Sequence, residues 1–168
     1  MKKIAIAFTG PSNSGKTTLI EKISKELQGV MKIAIIKHDP KDKAVFDREG
    51  KDSDKFFKSG ADVAVVSPNR TTIFKHSTSS IKEIAKSFGD FDLLLVEGLK
   101  HLPLPRIAIF RGEVNRDYLP FIKAAAVDSS INKDILKESN IDTLDLNNTK
   151  EIIDYILKNG EEIDAKDI

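Results

Sequence analysis

Gly10-Pro11-Ser12-Asn13-Ser14-Gly15-Lys16-Thr17 constrains this chain more than any other stretch, because it matches the pattern G-x-x-x-x-G-K-[ST]. Such a loop works only between a buried strand and the first turn of a helix. Glycines let the backbone turn tightly, so that successive N–H groups converge on phosphate. The helix that follows adds the positive end of its dipole. In that setting the Lys16 ammonium neutralises β- and γ-phosphate charge, the Thr17 hydroxyl is placed to ligate Mg²⁺, and Thr18 can reach the α-phosphate. The alternative is a glycine-rich turn capped by Ser14.

The flanking sequence supplies the required context. Lys3–Phe8 reads as a buried strand, and Thr17–Leu27 as an amphipathic helix with Leu19, Ile20, Ile23 and Leu27 on one face and Gly29 as its C-cap. Further short apolar runs alternate with helical patterns: strands at Lys32–Lys37, Phe91–Val96, Arg106–Phe110, Phe121–Val127 and Ile141–Leu146, and helices at Lys51–Lys58, Ser80–Phe88 and Thr149–Leu157. That alternation predicts a three-layer α/β fold of the P-loop NTPase type with a mostly parallel sheet. Asp62–Ser67 and Thr71–His76 flank Pro68-Asn69 and predict a small antiparallel hairpin. His38–Gly50 is polar and long, a loop expected to have a function.

The 168 residues suit one domain, with the acidic stretch 161–168 expected to fray. A net charge of +1 provides no field for a polyanion or an anionic membrane, so neither nucleic acid nor a membrane is expected as a partner. There are no cysteines, which removes disulfides, thiolate metal sites and a cysteine nucleophile, and fits a reducing cytoplasm. The N-terminal apolar run is too short, and too soon broken by Gly10 and Pro11, to read as a signal peptide.

A second functional group should end a neighbouring strand, where ligands bind in such sheets. Glu97 in Asp92-Leu-Leu-Leu-Val-Glu97-Gly98 is the candidate, as a Mg²⁺ ligand or as the group that orders a catalytic water; otherwise it is a loop-edge glutamate. Asp92, at the opposite end, reads as a cap. Lys37 and His38 close the second strand at the same edge, to hold a phosphate or simply to meet solvent. Lys100 is placed to reach the nucleotide or a partner subunit. Asp128 ends the Phe121–Val127 strand; it either accepts the paired N1–H and amino donors of guanine or caps the helix that follows Ser129-Ser130. Asp52 and Ser53 are open to a ligand role, with Ser53 favoured as the cap of its helix. His76 and His101 lack a second ligand at metal spacing. Asn132-Lys133-Asp134 lacks the spacing of a guanine motif and reads as a helix start.

Four segments together are similar to the molybdopterin-guanine dinucleotide biosynthesis protein B family: Gly10–Thr18; Ile36-Lys37-His38; Gly50-Lys51-Asp52-Ser53 with Gly60-Ala61; and Val96-Glu97-Gly98-Leu99-Lys100 leading to Pro105-Arg106-Ile107. The likeness runs from about Lys3 to Asp128. It implies a GTP- and Mg²⁺-binding accessory protein with weak hydrolysis, dimeric, acting with the molybdenum cofactor guanylyltransferase that joins molybdopterin to GMP. The chain departs from the family where Asp39 and Pro40 follow His38 in place of further histidines, and where Glu49 rather than a proline precedes Gly50. Two other classes compete. A small P-loop kinase would want clustered arginines, but Arg106, Arg111 and Arg116 are scattered. A nickel-delivery GTPase would want a thiolate or imidazole cluster.

Overall fold

A computed structural model describes residues 3–163. Its main sheet is built from β1 (Lys3–Thr9), β2 (Ile33–Lys37), β5 (Leu93–Glu97), β6 (Arg106–Phe110), β7 (Ala124–Val127), β8 (Asp142–Asp145) and β9 (Glu161–Ile163). The order is β2-β5-β1-β6-β7-β8, all parallel, with β9 antiparallel to β1. Two strands form a separate hairpin, β3 (Val63–Ser67) and β4 (Arg70–Phe74), turned at Pro68-Asn69 as expected.

The strands are apolar because both faces are covered. On one face Ile6, Phe8, Leu93, Leu95, Ile107 and Ile109 pack against α1 (Lys16–Glu26) and α5 (Thr149–Asn159), which contribute Leu19, Ile23, Ile152 and Ile156. On the other, Ala5, Ala7, Leu94 and Val96 lie under Ala85 of α3 (Ile81–Ser87), and Phe110 and Val127 lie under Leu136 of α4 (Asp134–Glu138). Strand periodicity thus sends successive residues of β1 and β5 into different cores. Each fully buried Leu or Ile is worth about 1.5–3 kcal/mol, which makes β1 and β5 a stiff base for whatever their ends carry.

Several expected boundaries shift, for local reasons. Phe121–Val127 is not one strand. Residues Arg116–Phe121 wind into a 3-10 helix that Asn115 caps, Phe121 is 58 % exposed, and only Ala124–Val127 joins the sheet. Residues 161–163 do not fray: β6 pairs with Ala7–Thr9 of β1, which leaves Lys3–Ala5 on that edge for β9. Residues 164–168 lie outside the described region. Helix α1 is capped by Leu27 rather than Gly29, which takes φ +81 two residues on. Ser53 does not cap α2 (Asp52–Lys58). Lys51 holds that position without a side-chain bond, and Asp54 accepts from the Gly50 N–H instead. Ser80 does cap α3, in a reciprocal box with Glu83. Asp92, expected as a cap, instead accepts from the distant Lys32 N–H at 2.7 Å, just before β2.

The α5–β8 contact carries a measurable pH signature. Half-buried Tyr155 donates its hydroxyl to Asp142 at 3.1 Å, and desolvation, with Asp142 beside it, pushes its pKa up to about 12. The folded state therefore favours the neutral phenol. Its contribution is complete below the ordinary tyrosine pKa near 10 and is lost as pH rises from there towards 12. Chemical denaturation at pH 8, 10 and 11.5 should show stability falling across this range in the wild type and a flatter profile in Tyr155→Phe; parallel profiles would refute the coupling.

Candidate functional site

The phosphate loop leaves β1 at Thr9 and enters α1 at Lys16, as the motif requires. Gly10 (φ +131), Asn13 (φ +62) and Gly15 (φ +101) all take left-handed or otherwise glycine-type backbone. Alternation of this kind curls successive N–H groups inward. Gly15 stands at the N-cap of α1 with no side-chain cap bond, so the helix's free N–H groups stay available. Ser14 does not cap the turn. Its Oγ is buried and, among the described residues, has no hydrogen-bond partner. A buried hydroxyl left unpaired costs about 1–3 kcal/mol, and a phosphate oxygen or an ordered water would remove that cost. The cradle therefore suits an anion.

Lys16 arches back over the loop, where its Nζ donates to the carbonyls of Gly10 (3.0 Å) and Pro11 (2.6 Å). Partial burial lowers its pKa; Glu97 opposes that and Lys37 adds to it. Parallel pairing places Phe8, Glu97 and Lys37 side by side at the strand ends. There Lys37 Nζ reaches both Glu97 carboxylate oxygens, at 3.2 and 3.1 Å. Glu97 is thus held over the loop by an ion pair that β2 supplies. His38 extends the same edge, its N–H donating to the Glu97 carbonyl at 3.0 Å.

These groups share a cavity of about 960 Å³. Of the residues singled out from sequence, Gly10, Ser12, Asn13, Gly15, Lys16, Thr17, Thr18, Lys37, His38, Glu97 and Lys100 line it. Pro11 and Ser14 belong to the loop but do not line the cavity. Asp128 stands at the C-terminal end of β7 as expected but is not part of the cavity wall. Its carboxylate accepts from the Ser130 hydroxyl and N–H and lies 3.9 Å from Arg111 Nε. The Ser130 bonds, then Arg111, hold its pKa below the usual carboxylate range. Asp52 and Ser53 do not line the cavity, and His76 stacks on Phe57 elsewhere, ring centroids 3.9 Å apart.

Sequence reading missed three neighbours. Tyr118, from the 3-10 helix, lines the cavity and lies 4.7 Å beneath Lys100 Nζ, a cation–π contact. His101 lines it as well. Arg111 lies against the loop: a Cβ on Gly15 would come within 3.5 Å of its Nε. The only sequence signal for Arg111 was its place just past the end of β6, at the same sheet edge as Glu97 and Asp128.

Among the described residues no cluster of three or more His, Cys, Asp or Glu could hold a metal alone. That is compatible with Mg²⁺, which typically takes one or two protein oxygens and completes its shell with substrate phosphates and water. Thr17 and Glu97 are donors of the right chemistry, once Glu97 yields part of its bond to Lys37. No helix among the described residues is long and apolar enough to cross a membrane.

The family model described as molybdopterin guanine dinucleotide synthesis protein B matches residues 5–132. The chain is 34 % identical over 157 residues to the molybdopterin-guanine dinucleotide biosynthesis adapter protein of Haemophilus influenzae, covering 90 % of this chain and 86 % of that one. With the adapter protein of Escherichia coli it shares 29 % over 163 residues, 91 % of each. The fold matches the crystal structure of Bacillus subtilis MobB with a TM-score of 0.68 at 19 % identity, over 94 % of this chain and 98 % of that one. The hydrogenase maturation factor HypB of Archaeoglobus fulgidus shares the fold more loosely, with a TM-score of 0.53 at 18 % identity over 93 % of this chain and 89 % of that one. The chain belongs to the molybdopterin guanine dinucleotide synthesis protein B family.

Proposed function

We propose that this protein is a GTP-binding accessory factor for synthesis of molybdopterin guanine dinucleotide, working in the cytoplasm beside the molybdenum cofactor guanylyltransferase and its substrate molybdopterin. The observation that carries it is the phosphate cradle of Gly10–Thr17 beneath Glu97, in a chain of this family. In the working complex the Lys16 ammonium leaves the Gly10 and Pro11 carbonyls for the β- and γ-phosphates. Thr17 and Glu97 hold Mg²⁺, which neutralises phosphate charge. Thr18 reaches the α-phosphate, and Lys37, His38 and Lys100 supply positive or hydrogen-bonding groups around the rest of the cavity. The test is calorimetric titration of the purified protein with Mg²⁺·GTP, followed by co-purification with the guanylyltransferase. Absence of both interactions would overturn the assignment.

Hydrolysis should be slow. Neither a glutamine nor an arginine lines the cavity among the described residues, and an arginine aimed at the transition state can be worth roughly 10³–10⁵ in rate. Phosphate release by the isolated protein should stay well below about one turnover per second, in the range of GTPases that lack such a group. Rapid release would mean that this chain does hold the catalytic parts. The missing groups favour an accessory GTPase over a kinase: Arg106 is buried on backbone carbonyls and Arg111 flanks the loop, so neither forms part of a lid.

Guanine is expected as the base, read by Asp128. Its place beside Arg111, whose guanidinium lies near Gly15, supports this. Asp128→Asn exchanges one acceptor for a donor and should lower GTP affinity while raising that for xanthosine triphosphate. Leaving guanine donors unpaired costs about 1–3 kcal/mol, roughly five- to a hundredfold. Unchanged GTP affinity with a lower melting temperature would make Asp128 only the cap of the Ser129-Ser130 turn.

Homodimerisation is the further expectation. Val65, Val66 and Ile73 of the β3–β4 hairpin and Phe56 of α2 are exposed. A second copy would cover the hairpin's open edges. Light scattering at micromolar concentration should give twice the monomer mass; a monomer with and without GTP would refute it.

A further inference from the structure

The Pro105-Arg106-Ile107 segment has no part in the function described so far. Arg106 opens β6 and is 2 % exposed, the largest of the fully buried side chains. Among the described residues no carboxylate pairs with it. Its guanidinium instead spans the loop that follows Glu97: Nη1 donates to the Gly98 carbonyl at 2.7 Å, and Nη2 to those of Leu99 at 2.9 Å and Leu102 at 3.4 Å. Burial of a cation without a counter-charge is costly, and an apolar side chain would fill the same space more cheaply. Its presence calls for a reason in what it holds.

What it holds is strained and functional. Gly98 (φ +88) and Leu99 (φ +49) are consecutive left-handed residues, and the Leu99 Cβ disfavours that conformation. Strained backbone of this kind persists where its surroundings over-determine it. Gly98 packs close to His38, since a Cβ added there would stand 3.0 Å from His38 Cβ, so the position suits glycine alone. Gly98, Leu99, Lys100 and His101 all line the cavity, and Glu97 is the residue before them. Three carbonyls aimed at one planar fork match guanidinium geometry; an ammonium cannot span them in the same way.

We propose that Arg106 is a positioning residue for the phosphate cavity: its guanidinium fixes the Gly98–Leu102 loop and so sets where Glu97 and Lys100 stand relative to the phosphate loop. The loop gives two local probes, since the Gly98 N–H donates to the Phe8 carbonyl and the Leu102 N–H to that of Leu99, both at 3.0 Å. In the full-length protein without nucleotide, Arg106→Lys should fold, and its Gly98 and Leu102 amides should exchange about tenfold faster or more, because the local opening energy of this loop alone has fallen. The Leu94 and Leu95 amides in the same strand should be little changed. Arg106→Ala leaves a guanidinium-sized space, so millimolar guanidinium, but not sodium at the same ionic strength, should return the two loop amides towards wild-type exchange.

Affinity for Mg²⁺·GTP should fall about tenfold in Arg106→Lys, equivalent to about 1.4 kcal/mol. This last arm rests on the cavity being a nucleotide site. A wild type that ignores GTP would sink that assignment, and the exchange measurements would still decide the role of Arg106. Wild-type exchange at Gly98 and Leu102 in a folded Arg106→Lys protein would overturn the proposal. So would failure of the lysine variant to fold, which would make Arg106 a general support of the core.

Discussion

Lys16→Ala is expected to abolish measurable triphosphate binding while leaving the fold nearly intact. In the structure the Lys16 ammonium has two partners, the carbonyls of Gly10 and Pro11, both on the partly exposed loop, where water can replace it. Its aliphatic stem belongs to none of the three core clusters. Loss of the side chain should therefore change stability by no more than about 1 kcal/mol, as for surface positions outside a network. Binding is different. Two charge-assisted bonds to phosphate are worth about 1.5–3 kcal/mol each, so the loss amounts to about 3–6 kcal/mol, or roughly 10²- to 10⁴-fold in affinity. The lower part of this range is favoured, because the lysine must first give up its two carbonyls. Calorimetric titration with Mg²⁺·GTP beside a thermal melt separates the two effects. A variant that keeps near-native affinity would show that the Gly10–Thr17 loop is not what holds the phosphates.

The parts of this molecule that could be read in advance are those whose causes are local. A strand buried on both faces needs an apolar run, so Phe91–Val96 and Lys3–Phe8 stood out, and they lie largely within β5 and β1. The phosphate loop is specified by its own glycines, and Glu97 follows from the rule that ligands gather at strand C-terminal ends. What stayed hidden depends on distant neighbours. Phe121-Ile122 resembles the start of a strand, but Pro120 lies within the preceding 3-10 turn and Phe121 faces solvent. The acidic Glu161–Ile163 pairs because β6 leaves half of one β1 edge open and because Gly160 lets the backbone pass Ile4, where a Cβ would clash with Ile4 Cγ2. The Lys37–Glu97 ion pair requires β2 to lie beside β5, an order that no single segment encodes. Arg106 looked like one of three scattered arginines, since its partners are backbone carbonyls and carry no residue signature.

Gly10→Ala should be costly in both stability and binding, for a reason visible only in three dimensions. Gly10 has φ +131, a region that an L side chain rarely adopts, and an added Cβ would stand 2.5 Å from the Ile109 carbonyl oxygen and 3.2 Å from the Ile109 nitrogen. Those are backbone atoms, so no rotamer change can relieve the contact. Nor can β6 give way: Ile109 is fully buried and its strand is paired on its far side with β7, Ile109 opposite Ala126. The end of β1 must move instead, and the phosphate loop moves with it. Backbone strain of about 1–3 kcal/mol and overpacking of about 1–3 kcal/mol give a destabilisation of about 2–6 kcal/mol. For a chain of this length that lowers the melting temperature by roughly 4–24 °C. Gly29→Ala is the control, because Gly29 also has positive φ (+81) but nothing within 4 Å of the added carbon, so only the left-handed cost of about 1–2 kcal/mol applies. Gly10→Ala should melt well below Gly29→Ala and lose most of its affinity for Mg²⁺·GTP, whereas Gly29→Ala keeps wild-type affinity. If the two variants melt together and both bind, the close approach of β1 and β6 at the mouth of the loop does not govern the site.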